Sequence, residues 1–209
     1  MLIDPSTLEN REVYKLLIGT VVPRPIAWVS SISADGKPNL APFSYFNIAC
    51  AHPPTLLFCP NRRADGAKKD TLLNIEATGE FVIHIVDEHT VYAMNQSSAE
   101  YPSGVNEFEK AGLTALPSTR VRPPRVAESP VAFECELVQI VGLGDGPSGG
   151  EIVIGRVVLI HVRDDVRPDS HIDLRALAPV ARLAGSGYAR VTDTFELQRP
   201  VLQPLAQLE

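Results

Sequence analysis

The chain is short of cysteine, has one tryptophan and two methionines, and carries no excess of positive charge. Each shortage removes a class of explanation. Cys50, Cys59 and Cys135 are odd in number, far apart and without a CxxC pair, which argues against a disulfide framework or a thiolate zinc site. They read as buried free thiols in a reducing compartment. The five histidines, His52, His84, His89, His161 and His171, show neither HxH nor HExxH spacing, so no metal ligand is assigned. No GxSxG elbow is present, which leaves a hydrolase triad without local support. The formal net charge of −6 over 209 residues lacks the footprint of a nucleic-acid binder. Any anionic ligand must therefore be met by a local basic cluster. No apolar run approaches the length of a membrane span. The opening Met1-Leu2-Ile3-Asp4-Pro5 has no basic stretch followed by an apolar one, so no signal peptide is expected. The expectation is a cytoplasmic protein with no membrane association.

What is present fits a soluble domain: 44% hydrophobic and 21% charged residues. The length suffices to bury a full core in one domain over residues 1–209, with no linker or internal repeat to divide it. Helical spacing of Val13, Leu16, Leu17 and Thr20 predicts a helix over 9–20. Pro23 and Pro25 then stop it. Strands are predicted at 26–32, 39–45, 55–59 and 80–86, and helices at 67–77 and 89–97. Residues 131–143 and 151–162 read as a long hairpin around a glycine-rich turn. Strands dominate without regular βαβ alternation, which predicts a mainly β barrel or sandwich with added helices.

Four segments could carry chemistry. Gly144-Asp-Gly-Pro-Ser-Gly149 matches GxGxxG, but strand formers follow it rather than the helix whose N-terminus must hold a pyrophosphate. A hairpin turn is expected there instead. The loop from Asn61 to Thr71 packs Arg62, Arg63, Lys68 and Lys69 into an acidic chain, and its Arg, Lys and Thr donors suit a phosphate. The competing explanation is a solvated loop with Asp70 or Thr71 capping a helix. Asn39 to Asn47 mixes small, aromatic and hydroxyl residues, fitting either an aromatic ligand slot or a core strand running into a loop. On Arg24 to Ser30, Trp28 fits a core position and Arg24 a surface or ion-pairing one.

In this order, Arg24-Pro-Ile-Ala-Trp-Val-Ser30, Asn39-Leu-Ala-Pro-Phe-Ser-Tyr-Phe-Asn47, Pro53-Pro54, Lys69-Asp-Thr71 with Asn74, and Gly79-Glu-Phe81 resemble the flavin reductase-like family. Asn106-Glu-Phe108 with Gly112-Leu113, and Arg182 with Gly187-Tyr188, fit the same pattern. The resemblance spans roughly residues 10 to 190 and implies an FMN-binding split β-barrel working as a homodimer. It implies that Trp28, Val29 and Ser30 line the flavin ring, and that Phe43, Ser44, Tyr45 and Phe46 contact ring and ribityl chain. Arg62, Lys69 and Thr71 would meet the phosphate, and Tyr188 would cover the ring. It implies an oxidoreductase with NAD(P)H as hydride donor, passing electrons to free flavin, a partner monooxygenase or another acceptor. The alternative is a flavin-holding electron carrier without NAD(P)H turnover. No catalytic acid or base is assigned, because hydride transfer to flavin does not require one.

Overall fold

The computed structural model describes residues 1–147 and 149–200. A helix, α1 (Asn10–Thr20), leads into β1 (Ala27–Ile32), β2 (Pro38–Phe43), β3 (Phe46–Ala51) and β4 (Pro54–Phe58). Then come α2 (Asp70–Thr78), β5 (Glu80–Ile85), α3 (Val91–Ser97) and α4 (Glu107–Lys110). After a small pair, β6 (Ala115–Leu116) and β7 (Arg125–Val126), the long strands β8 (Val131–Gly142) and β9 (Glu151–Val162) follow. The described chain closes with α5 (Leu174–Leu177) and the hairpin β10 (Val180–Arg182) and β11 (Tyr188–Arg190). The expected single domain ran to residue 209, and its last nine positions lie outside the described residues.

Seven strands form one antiparallel sheet in the order β2-β1-β5-β8-β9-β4-β3. Strands β2 and β3 sit at opposite edges of that order, yet only Ser44 and Tyr45 separate them. Three residue steps reach about 10–11 Å at most. The sheet must therefore curl until its edges nearly meet, which makes it a mainly β split barrel with added helices; the strand pattern predicted a barrel or sandwich, and the resemblance implied the split barrel. The expected strand over 39–45 is in fact two, because the chain leaves one edge at Phe43 and enters the other at Phe46. Main-chain alternation cannot reveal that break, since both sides of it are β-forming.

The barrel interior holds Val29, Phe43, Leu56, Phe58, Phe81, Ile83, Cys135 and Val153, with Leu72 and Ile75 supplied by α2. Phe43 packs on Phe58 at 5.1 Å between ring centroids, and Phe58 on Phe81 at 5.6 Å. Gly155 of β9 leaves the space that the Phe81 ring occupies, since a Cβ there would overlap Phe81 Cζ. A second cluster outside the barrel joins Ile26, Trp28 and Leu40 to Met94 of α3 and Phe108 of α4. Strand β1 is thus buried on both faces, and Trp28 is fully buried, its indole N–H donating to Ser97 Oγ at 2.9 Å. His84 bridges β1 and β7: its Nδ1 lies 2.9 Å from the Trp28 carbonyl and its Nε2 accepts from Val126 N–H at 3.0 Å. Burial pushes the imidazole pKa down to about 4, so it is neutral and donates from Nδ1.

Helix α1 occupies the expected span, but its apolar face is uncovered within one chain. Ile18 is its one buried residue, while Leu16 and Leu17 are exposed. The edge strand β3 is likewise exposed, with Ile48 at 70% of full accessibility. All three cysteines are free, but only Cys135 is buried; Cys50 stands on exposed β3 and Cys59 is half-buried. That corrects the expectation of three buried thiols, which rested on apolar context without knowledge of the sheet edge.

Candidate functional site

The split between β2 and β3 opens into a cleft of about 320 Å³. Its walls come from distant parts of the chain: Tyr14 and Ile18 of α1, Arg24, Phe43, Ser44 and Tyr45 at the split, Lys69 before α2, and Arg182 and Tyr188 of the last hairpin. Arg24, Lys69 and Arg182 bring three positive charges, and no aspartate or glutamate lines the cleft. In a chain of net charge −6, that is a local reversal of sign.

Main-chain pairing brings two of these cations together. Arg24 N–H donates to the Arg182 carbonyl at 3.0 Å and Arg182 N–H to the Arg24 carbonyl at 2.8 Å. The Arg24 side chain is buried, and its guanidinium donates to the carbonyls of Ile18, Val21 and Leu183 at 2.8, 2.7 and 3.0 Å. No carboxylate lies within 4.0 Å of it among the described residues. Expected at the surface or in an ion pair, Arg24 is instead a buried cation at the back of the cleft, held by carbonyl dipoles and keeping its full charge. Sequence reasoning passed over it because its partners are backbone carbonyls, which leave no side-chain signal.

Lys69 is the N-cap of α2 and forms no ion pair within 4.0 Å among the described residues. Its Nζ lies 5.7 Å from the centre of the Phe43 ring. Burial lowers its pKa from the ordinary lysine value; nearby Glu100 opposes that shift and Arg63 adds to it. No side chain caps the start of α2, so the alternative that Asp70 or Thr71 serves as the cap does not hold. An adjoining recess of about 170 Å³ shares Pro42, Lys69 and Ser98 with the cleft and adds Arg63, Thr71 and Asn39, together with the carboxylates Asp70, Glu100 and Glu107; Arg63 is paired with Asp70 at 3.4 Å. Thr71 Oγ1 accepts from Asn39 Nδ2 at 2.9 Å, which leaves its hydroxyl proton to donate elsewhere.

Of the residues expected at the site, Phe43, Ser44, Tyr45, Lys69 and Tyr188 line the cleft and Thr71 lines the recess. Trp28, Val29 and Ser30 are fully buried in the wall behind it: Trp28 under α3, Val29 in the barrel and Ser30 bonded to the Pro124 carbonyl. Phe46 packs against the barrel interior. Arg62 points away, paired with buried Glu151 at 2.6 Å and with Asp145 at 3.4 Å under the hairpin turn. Its neighbour Arg63 takes its place in the recess. The cleft residues to which sequence reasoning gave no role are Arg24, Cys59 and Arg182, while Asn61 and Arg63 lay in the candidate basic loop without an individual role. Burial raises the Cys59 thiol pKa, so it is a protonated wall rather than a nucleophile. As expected, β9 and not a helix follows the GxGxxG match, of which Ser148 lies outside the described residues. No group of three or more potential metal-ligating side chains occurs among the described residues. No helix among them is long and apolar enough to cross a membrane.

The same split barrel occurs in a flavin reductase-type protein of Shewanella frigidimarina, with a TM-score of 0.80 at 27% identity over 93% of this chain and 96% of that one. The flavin reductase like domain model matches residues 18–178, and the chain belongs to that family. A protein of Halalkalibacterium halodurans is 44% identical over 204 residues, covering 97% of this chain and 98% of that one. The crystal structure of nitrilotriacetate monooxygenase component B from Bacillus cereus superposes with a TM-score of 0.90 at 40% identity, over 94% of this chain and 98% of that one. The 2-nitrobenzoate 2-nitroreductase of Pseudomonas fluorescens gives 0.85 at 32% identity, over 99% of this chain and 100% of that one.

Proposed function

We propose that this chain binds FMN in the seam cleft and reduces it with NAD(P)H. The observation that carries the proposal is the charge pattern: Arg24, Lys69 and Arg182 face one cleft without a single lining carboxylate. A flavin mononucleotide phosphate carries close to two negative charges near neutral pH, by analogy with phosphorylated side chains. Lys69, the Thr71 hydroxyl and the uncapped start of α2 would hold it where the carboxylate-free cleft meets the recess, with Arg63 adding a charge that it shares with Asp70 at 3.4 Å. Phe43, Ser44 and Tyr45 would bind ring and ribityl chain, with Tyr188 covering the ring. Trp28, Val29 and Ser30 would fix the wall rather than touch the ligand. FMN is favoured over FAD because the chain has no usable dinucleotide loop. Bound flavin supplies the two-electron chemistry. The residues here bind it, orient it and exclude water.

A homodimer is part of the proposal. It would cover the apolar face of α1 and the exposed edge strand β3, both unpartnered in one chain. A separate oxygenase as electron acceptor is supported by the neighbour whose name makes it component B of a monooxygenase. The cytoplasm is the proposed location.

The test is direct. Cofactor extracted from purified protein should run as FMN on chromatography, and NADH or NADPH should bleach the bound flavin in stopped flow. FAD as the dominant species would remove the FMN assignment. Bound FMN that neither nucleotide bleaches would make the protein an electron carrier.

A further inference from the structure

Behind Tyr188 lies a second cleft, of about 450 Å³, that the flavin proposal does not use. Its size falls in the range of small-molecule sites. Val91 and Tyr92 of α3 form one wall, and Val180, Arg182 and Tyr188 of the last hairpin form the other. Tyr92 is 82% exposed, so its ring stands at the cleft without a protein partner.

The charges in this cleft do not cancel. Arg190 is paired with Glu88 at 2.8 Å, which neutralises both. Arg182 has no carboxylate within 4.0 Å among the described residues. It donates to two neutral acceptors instead, Tyr188 Oη at 2.6 Å and the Gly185 carbonyl at 2.5 Å. One positive charge without a carboxylate partner therefore remains in the cleft, its guanidinium 4.7 Å from the centre of the Tyr188 ring, with the Tyr92 ring on the other wall. Such a setting recognises a flat π-system bearing one negative charge: the exposed Tyr92 ring stacks on it and the Arg182 guanidinium meets the anion.

Position adds to this. Arg182 and Tyr188 line both clefts, so a single layer of side chains divides them. That layer is pinned in line, since Tyr188 Oη accepts from Arg182 and donates to Asn95 Oδ1 at 3.2 Å.

We propose that the cleft behind Tyr188 is a second ligand site, for a planar aromatic compound carrying a single negative charge. Its place next to a flavin rests on the function proposed above; the binding itself does not.

The experiment uses calorimetric titration of the full chain, flavin-loaded, with 2-naphthoate and with 2-naphthylmethanol, which has the same rings and no charge. The acid should bind at least about tenfold more tightly than the alcohol. Tyr92→Ala should weaken naphthoate about tenfold and leave FMN affinity unchanged. Lys69→Ala should do the reverse. Equal affinity for acid and alcohol, or naphthoate binding indifferent to Tyr92→Ala, would overturn the proposal. So would adenosine monophosphate binding more tightly than naphthoate, because the cleft would then be a nucleotide site. If the chain takes naphthoate with the expected Tyr92 dependence but holds no FMN, the flavin assignment falls and the second site stands.

Discussion

Removing the Lys69 ammonium gives the sharpest test of where the flavin phosphate sits. Lys69 is half-buried, has no ion pair among the described residues, and has its charge disfavoured by burial. A phosphate placed beside it would supply the missing partner. One hydrogen bond to a charged group contributes about 1.5–3 kcal/mol net. Lys69→Ala should therefore weaken FMN roughly ten- to hundredfold. The same change also removes the contact of Nζ over the Phe43 ring at 5.7 Å. That contribution, about 0.5–1 kcal/mol, does not depend on the ligand's phosphate. Riboflavin separates the two effects, because it keeps the ring and ribityl chain and lacks the phosphate. Fluorescence titrations of both ligands at fixed salt, on wild type and variant, give the ratio of their affinities. That ratio should fall ten- to hundredfold in the variant. Equal losses for the two ligands would refute the phosphate placement and reduce Lys69 to a residue that packs on Phe43. An unchanged affinity for both would refute it as well.

Two further predictions concern the frame around the cleft. His84 has a folded pKa near 4 against 6.5 for the free side chain, so the unfolded chain takes up its proton first. Its contribution to stability is full above pH 6.5 and is lost as the pH falls toward 4, about 3 kcal/mol in all by the linkage relation. Urea midpoints measured at pH 7 and pH 5 should differ more in wild type than in His84→Gln, and equal differences would discard the buried-imidazole account. Gly155→Ala should cost about 1–3 kcal/mol in chemical unfolding, because the new methyl overlaps the Phe81 ring in the barrel interior. A neutral result would mean that Phe81 moves freely, contrary to its packing on Phe58.

Much of the fold is legible in the residues themselves. The long hairpin β8–β9, the helix α2 and the turn at Gly36, with φ of 87°, follow from β-branched runs, helical spacing and a glycine where positive φ is cheap. The basic loop before α2 is also visible as charge density. What is not legible is which of its cations is available. Arg62 is paired with Glu151, 89 positions away, Arg63 with Asp70 and Lys68 with Glu76, which leaves Lys69 as the loop cation with no carboxylate within 4.0 Å among the described residues.

The same distinction runs through the site as a whole. By itself, the sequence determined the strand-rich class, the absence of a helix-borne dinucleotide loop, and the presence of Lys69 and Thr71 at the start of a helix. Local propensity and spacing act over a few residues, so they survive in a one-dimensional record. The tertiary structure alone decided that the sheet curls until β2 and β3 nearly meet. It decided that Trp28 is core, and that Arg24 and Arg182, 158 positions apart, share main-chain hydrogen bonds beside one cleft. Those outcomes depend on strand order and on backbone carbonyls meeting side chains from distant segments. Every residue has a carbonyl, so nothing in the residue letters marks which ones will hold a guanidinium.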